Sequence, residues 1–145
     1  MLLFSQTHTL NPHFACSSIE GEHHIAPVKK VYRTYQKIKR AYGGRVQRMC
    51  DVVRTTICFK DIPSLTDCIR IMDTDPDIDI LRVKNRYDPH FVSDDGYRDC
   101  AMLITSPLFD GFVVEVQLNL IAMYEAKTQG GGHKRYTAMR DERGA

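Results

Sequence analysis

The chain has 145 residues, of which 43% are hydrophobic and 26% charged, as expected for one globular domain with a single modest core. Its formal net charge is only +2, so the charge of the whole chain does not argue for nucleic-acid binding. No apolar run approaches the roughly 20 residues that span a bilayer. The short apolar start has no basic segment before it, so we expect neither a signal peptide nor a membrane partner.

The five cysteines include no Cys-x-x-Cys pair and suggest no disulfide framework. An odd count of scattered cysteines is typical of proteins in a reducing compartment, where thiols remain free. We therefore expect a cytoplasmic protein.

The N-terminal third divides into a leader and a helix. Residues 1–26 show neither helical nor strand periodicity, which predicts a poorly ordered leader before a domain over residues 27–145. From Pro27, apolar residues recur at three- and four-residue steps as far as Tyr42, which predicts an amphipathic helix that Gly43-Gly44 ends. Its polar face is uniformly basic.

A strand, a helix and a second strand are predicted next. Residues 52–59 are β-branched and aromatic, which indicates a buried strand with Asp51 at its entrance. The segment from Asp61 to Ser64 predicts a helix start, followed by apolar positions on one face. An acidic turn over residues 73–79 then leads into a strand from Ile78 to Tyr87.

The stretch from Asp95 to Asn119 predicts an antiparallel hairpin that turns at residues 109–111. If Phe112, Val114, Val116 and Leu118 face the core, then Glu115, Gln117 and Asn119 share the opposite face, because strand side chains alternate. Helices are predicted over residues 121–127 and 133–143. The element order predicts an α+β domain with a mixed sheet of about four or five strands flanked by helices.

Two carboxylates are candidates for a metal site. Asp51 and Glu115 each lie beside a predicted buried strand, where a charge needs a partner or an ion. Two carboxylates brought together on adjacent strands suit Mg²⁺, which takes its remaining ligands from water and substrate phosphates. The alternative is a pair of structural ion pairs, with Arg54 for Asp51 and with Lys84 or Arg98 for Glu115.

Basic and aromatic residues are candidates for nucleotide contacts. Lys29, Lys37 and Arg54 could oppose the charge of a triphosphate; the alternative is a solvated helix face and a salt bridge. Tyr97 follows Gly96 at a strand entrance and could stack on a base, or it could be a core or rim tyrosine.

Five motifs in order resemble the RelA/SpoT-like alarmone synthetase domain, a family with a nucleotidyltransferase-like fold. They are the basic helix from Lys29 to Lys37, then Asp51, then residues 84–89 with Gly96-Tyr97-Arg98, then Glu115-Val116-Gln117-Leu118, and last His133-Lys134-Arg135-Tyr136. The set covers residues 28 to about 140.

The resemblance implies transfer of pyrophosphate from ATP to the 3′-hydroxyl of GDP or GTP with Mg²⁺ as cofactor. By matching positions, Asp51 and Glu115 would hold the ion, Glu115 would be the general base, and Lys29 and Lys37 would lie along the ATP phosphates. Arg54, although it does not match the family's position, is predicted to contact ATP with them. The acceptor nucleotide would be bound by Lys84, Tyr97, Arg98, Gln117, Asn119, His133 and Tyr136. A homo-oligomer is compatible with this interpretation.

Four positions depart from the family pattern. Arg33 replaces a serine, Arg54 stands two residues earlier than the family's strand arginine, Asp99 replaces a serine, and Asn119 replaces an arginine. These departures favour an alternative function, a domain of the same fold that binds a nucleotide or RNA without turnover. A protein-interaction domain is a third alternative.

Overall fold

The computed structural model describes residues 21–46, 49–91 and 96–129. These residues form five strands and three α-helices in the order β1 Glu22–Ile25, α1 Val31–Ala41, β2 Val53–Phe59, α2 Ile62–Thr74, β3 Asp79–Asn85, β4 Cys100–Thr105, β5 Val114–Leu120 and α3 Ile121–Gln129. The strands make one sheet in the order β1-β2-β5-β4-β3. The β2–β5 pair is parallel and the other three pairs are antiparallel, so the predicted mixed α+β sheet is confirmed.

The core lies on one face of the sheet, under α2. Inward residues of β2, β4 and β5 are buried there together with one face of the helix; the cluster includes Ile57, Phe59, Leu65, Cys68, Met72, Met102, Ile104, Val116 and Leu118. Burying each of the larger apolar side chains contributes roughly 1.5–3 kcal/mol. The opposite face of the same strands is therefore the face that remains for polar side chains.

The start of α2 follows from local chemistry. Asp61 has extended backbone angles, and its carboxylate accepts a hydrogen bond from the Ser64 backbone N–H at 2.8 Å. Pro63 lies in the first turn, where its missing N–H costs nothing. The cap fixes the helix start, and Leu65, Cys68 and Met72 then recur on the face that contacts the sheet.

The hairpin predicted in the C-terminal half is present as β4 and β5. Its connection contains a short 3₁₀ helix, Pro107–Phe109, followed by Asp110 and Gly111 with φ angles of 49° and 78°. Val116 and Leu118 are buried as predicted, whereas Phe112 is 69% exposed. The prediction for Phe112 was wrong because the strand begins only at Val114, so the alternation of side chains does not extend to the turn.

Two further predictions need correction. The sequence pattern gave no strand before residue 27, but Glu22–Ile25 pairs antiparallel with β2, so the sheet includes part of the predicted leader. A four-residue edge strand has one neighbour only, and its polar residues leave little periodicity. The first helix begins at Val31 rather than near Pro27, and α1 has no buried residue.

Cys58, Cys68 and Cys100 are buried and Cys50 is half-buried. Among the described residues, no helix is long and apolar enough to cross a membrane. The predicted helix over residues 133–143 lies outside the described part of the chain.

Candidate active site

Strand register places the polar candidates on the face of the sheet opposite the core. Glu115, on the central strand β5, is directly opposite Arg54 of β2 and Leu103 of β4. Arg82 of β3 is the next residue across, opposite Leu103. Arg54, Glu115, Leu103 and Arg82 thus form one row across four strands. A β-bulge between Ile80 and Arg82 shifts the register of β3 and so brings Arg82 into this row.

The neighbouring row is centred on Gln117, two residues along β5 on the same face. Its side-chain amide donates a hydrogen bond to Glu115 Oε1 at 2.6 Å. This contact holds one carboxylate oxygen of Glu115 in a fixed direction.

Asp51 lies two residues before the start of β2 and is held by two lysines, Lys29 before α1 and Lys37 within it. Its Oδ2 accepts hydrogen bonds from Lys29 Nζ at 2.5 Å and from Lys37 Nζ at 2.6 Å. The three side chains are 12%, 17% and 33% exposed in the order Asp51, Lys29, Lys37, so the cluster is largely removed from water. The described ion pairs of Asp51 are therefore with Lys29 and Lys37. The alternative interpretation of the sequence, a structural ion pair, had predicted Arg54 as the partner of Asp51.

The charges of this cluster shift one another's pKa values. Burial alone would raise the pKa of the Asp51 carboxyl, but the hydrogen bonds from Lys29 and Lys37 outweigh burial and lower it. Burial lowers the pKa of Lys29. For Lys37, hydrogen bonds to Asp51 and to the Tyr42 hydroxyl overcome the effect of burial and raise the pKa. The shifts of Asp51 and Lys37 thus favour their charged forms, whereas burial disfavours the charged form of Lys29.

The two predicted metal ligands line one cleft. A cavity of about 550 Å³ is bounded by α1, the segment before β2 and the polar face of the sheet, with the lining residues Lys37, Ala41, Tyr42, Cys50, Asp51, Arg82, Leu103 and Glu115. Two carboxylates, a lysine and an arginine thus converge on a space large enough for the phosphates of a nucleotide.

The oxygen donors of this cleft fit Mg²⁺. Asp51 Oδ1 is buried and has no hydrogen-bond partner among the described residues, so it keeps its lone pairs for an ion. No group of three or more His, Cys, Asp or Glu side chains that could hold a metal occurs in the described part of the chain. A site with two carboxylates suits Mg²⁺, which completes its shell with water and phosphate oxygens.

Tyr97, the predicted base platform, belongs to a hydrogen-bonded group at the other end of the polar face. Its hydroxyl donates to Asn119 Oδ1 at 2.9 Å and accepts from Lys127 Nζ at 3.1 Å. Asn119 is fully buried. Burial, followed by the neighbouring charge of Asp99, raises the pKa of the Tyr97 hydroxyl, which therefore stays protonated. Stacking of a base on this ring remains a prediction.

The remaining acceptor-side candidates hold the loop after β3. Arg98 Nη1 donates to the backbone carbonyls of Arg86, Asp88 and Phe91 at 2.8–3.0 Å. Lys84 Nζ lies 5.6 Å from the centre of the Phe91 ring. His133 and Tyr136 lie outside the described residues, and their roles stay predictions.

Several residues of the site had no individual signal in the sequence. Arg82 lies two residues before Lys84 and therefore on the same face of β3, but the β-bulge between Ile80 and Arg82 decides which residue of β4 it lies opposite. Asp99 forms an ion pair with Arg86, and its side chain is only 3% exposed. Lys127 belongs to a helix whose direction no local pattern determines. The sequence offered one sign of the Asp99–Arg86 ion pair. Asp99 directly follows Tyr97-Arg98 in an apolar run, and a carboxylate that is buried there needs a cationic partner.

Comparison with known proteins supports the fold. No family model matches the chain, and no curated protein sequence matches it significantly. Among solved structures, small alarmone synthetase 1 from Bacillus subtilis bound to its product pppGpp matches with a TM-score of 0.66 and 18% identity, over 80% of this chain and 62% of its own. Small alarmone synthetase 2 from the same organism matches with a TM-score of 0.66 and 20% identity, over 83% and 64%.

A GTP pyrophosphokinase family protein from Streptococcus pneumoniae matches with a TM-score of 0.64 and 15% identity, over 81% of this chain and 61% of its own. The chain therefore has the nucleotidyltransferase-like α+β fold of these pyrophosphokinases. More particularly, the fold is that of the small alarmone synthetases, which confirms at the level of fold the resemblance read from the sequence motifs. The chain spans 61–64% of the length of these three proteins.

Proposed function

We propose that the chain is a Mg²⁺-dependent pyrophosphotransferase that moves the terminal diphosphate of ATP to the 3′-hydroxyl of a guanine nucleotide or a related acceptor. The observation that carries this proposal is the cleft in which Asp51 and Glu115 meet Lys37 and Arg82. The fold shared with small alarmone synthetases, one of them bound to pppGpp, supports the same reaction class. We place this activity in the cytoplasm, as expected for a protein with free cysteines.

Asp51 Oδ1 and the Glu115 carboxylate would hold the ion. Bound Mg²⁺ would neutralise the charge that develops on the phosphates during transfer. Lys29 and Lys37 would stay hydrogen-bonded to Asp51 Oδ2 while Asp51 Oδ1 binds the ion. The same two lysines present cations along the cleft, where the triphosphate of ATP would lie.

Glu115 is the residue that would accept the proton of the acceptor hydroxyl. As the 3′-oxygen forms its bond to the β-phosphorus, the bond between that phosphorus and the α–β bridging oxygen breaks, and AMP leaves with this oxygen. The proton passes to the Glu115 carboxylate, whose orientation is fixed by Gln117. Arg82 and Lys37 would oppose the negative charge of the transferred group.

The test is an acceptor panel. The protein is incubated with Mg²⁺ and labelled ATP together with GDP, GTP, ADP, AMP or tRNA, and products are separated and weighed by mass spectrometry. We expect a product heavier than its acceptor by a diphosphate, no product in EDTA, and none from Glu115→Gln. Asp67→Asn, an exposed carboxylate on α2, serves as the matched control with unchanged activity. Transfer that is unaffected by Glu115→Gln would refute the proposal.

One observation favours the second candidate, a domain that binds nucleotides without turnover. Two ammonium groups already neutralise Asp51 at 2.5 and 2.6 Å, and such cations compete with a divalent ion for the carboxylate. In that case nucleotide affinity would be equal in EDTA and in Mg²⁺, and no acceptor would yield product. Calorimetry under both conditions separates the two functions.

A further inference from the structure

The cleft between α1 and the sheet has an uncharged part beside its charged one. Its charged lining residues are Lys37, Asp51, Arg82 and Glu115, and the others are Ala41, Tyr42, Cys50 and Leu103. With a volume of about 550 Å³, the cavity falls in the range of about 300–1,000 Å³ that is typical of sites enclosing a whole small molecule. Among the described residues that line it, Tyr42 is the one with an aromatic ring.

The way in which α1 ends places Tyr42 at the cleft. The Tyr42 backbone N–H donates to the Ile38 carbonyl at 3.3 Å, and its φ of −118° departs from helical geometry. Gly43 and Gly44 follow with φ angles of 57° and 82°, left-handed values that favour glycine. The Gly44 N–H donates to the same Ile38 carbonyl at 3.0 Å. This turn stops the helix directly after Tyr42 and leaves its side chain half-buried against the cleft.

Lys37 connects the Tyr42 ring with the predicted metal site. Its Nζ lies 5.4 Å from the centroid of the Tyr42 ring and is hydrogen-bonded to the Tyr42 hydroxyl. The same Nζ lies 2.6 Å from Asp51 Oδ2. One ammonium group therefore contacts both the ring and the carboxylate, so the ring and the ion site are separated by a short path. A nucleotide can bridge such a path, because one ribose joins its base to its phosphates.

We propose that Tyr42 is a binding residue for the donor nucleotide, whose base stacks on the Tyr42 ring while its phosphates extend toward Lys37 and Arg82. This inference rests on the proposed function, because it takes the cleft as the site of ATP. An aromatic side chain offers its face to a base, and removing such a ring typically weakens binding by about 10-fold or more. A tyrosine that served only to hold Lys37 would act through its hydroxyl instead of its ring.

Binding measurements separate the ring from the hydroxyl. The probes are α,β-methylene ATP, which carries a base, and inorganic triphosphate, which does not, each titrated calorimetrically with Mg²⁺. We expect Tyr42→Leu to weaken binding of the ATP analogue about 10-fold and to leave the affinity for triphosphate unchanged. Tyr42→Phe keeps the ring and should retain the affinity for the analogue. An equal loss in Tyr42→Phe and Tyr42→Leu would assign the effect to the hydroxyl and refute the inference.

Fluorescence reports the stacking itself. The chain has no tryptophan, so Tyr42→Trp introduces a single indole at this position. We expect the ATP analogue to quench its fluorescence and inorganic triphosphate to leave it unchanged. Tyr35, two turns earlier on α1, is 61% exposed, and Tyr35→Trp and Tyr35→Leu are the matched controls without an effect in either assay. Equal quenching by both probes, or calorimetric binding of the analogue without quenching, would overturn the inference.

The outcomes distinguish this inference from the proposed function. Quenching that depends on the base, without diphosphate transfer to any acceptor, would refute the transferase and leave Tyr42 as a nucleotide-binding residue. Diphosphate transfer with the same KM for ATP in Tyr42→Leu and in the wild-type protein would refute the role of Tyr42 and leave the transferase standing. Failure of the wild-type protein to bind the ATP analogue in the presence of Mg²⁺ would also overturn the inference.

Discussion

Replacing Asp51 by Asn tests the charge cluster at the entrance of β2. The substitution keeps the shape of the side chain but removes the charge that faces two ammonium groups at 2.5 and 2.6 Å. At an effective dielectric constant of about 20, a pair of unit charges about 4 Å apart attracts by about 4 kcal/mol. Repulsion between the two lysines and the cost of desolvation offset part of this attraction.

Removing one partner of a buried ion pair typically costs about 3–5 kcal/mol, because a charge is left buried alone. The side chains here are 12–33% exposed, so water screens part of the effect. We therefore expect Asp51→Asn to lower the free energy of unfolding by about 2–4 kcal/mol at pH 7. Adding Lys37→Met to Asp51→Asn should restore roughly 1 kcal/mol, since it removes one of the two unpaired cations.

The same cluster sets a pH dependence. Because the pKa of Asp51 is lowered in the folded state, its contribution to stability is fully present above the unfolded pKa, near 3.8, and is lost as the pH falls through the folded pKa. The stability difference between the wild-type protein and Asp51→Asn should therefore be constant near neutrality. It should shrink when the pH falls below about 4.

Urea denaturation followed by far-ultraviolet circular dichroism at several pH values from 7 down to 3 measures these quantities. Asp67→Asn provides the control, since Asp67 and Arg70 form an exposed pair with side chains 59% and 73% exposed. A cost below about 0.5 kcal/mol for Asp51→Asn, in the range of exposed pairs, would refute the reasoning. A difference that grows as the pH falls would contradict the assigned direction of the Asp51 pKa.

Three further results are expected. Tyr97→Phe should destabilise the protein by about 1–3 kcal/mol in urea denaturation, because Asn119 Oδ1 stays buried and loses its donor; an unchanged midpoint would contradict this. Asp99→Asn should cost about 3–5 kcal/mol in the same assay because its partner is Arg86 and its side chain is 3% exposed; a cost as small as that of Asp67→Asn would refute it. Cys50 lines the cleft, so Mg²⁺ with an ATP analogue should slow its alkylation by iodoacetamide, as measured by peptide mass spectrometry, whereas alkylation at the same rate would contradict the cleft as the nucleotide site.

The sequence predicted elements whose signals are local. The strand over residues 53–59 is β-branched and buried, and α2 has both a capping aspartate and an apolar face. The hairpin was predicted from the Asp110-Gly111 pair, which is typical of a turn, and both residues have the left-handed φ angles that such a turn requires. β1 was missed because an edge strand of four polar-rich residues owes its existence to β2 rather than to its own pattern.

The candidate site could be predicted only in part. Alternation along β5 was enough to place Glu115, Gln117 and Asn119 on one face, because period two is a property of any strand. The partners of Asp51 were not accessible in this way, since Lys29 and Lys37 reach it from residues 22 and 14 positions away. Lys127 was missed for the same reason: its contact with Tyr97 spans 30 positions and depends on the direction in which α3 leaves the sheet.

The most direct measurement of the central claim is the fate of the labelled terminal phosphates of ATP in the presence of Mg²⁺ and GDP. Cooperation of the two cleft carboxylates predicts transfer of an intact diphosphate to GDP by the wild-type protein, with AMP released in equal amount. Glu115→Gln and Asp51→Asn should each abolish this transfer under conditions where both variants remain folded. Label that stays on ATP with the folded wild-type protein, for GDP and for every other acceptor of the panel, would contradict the claim.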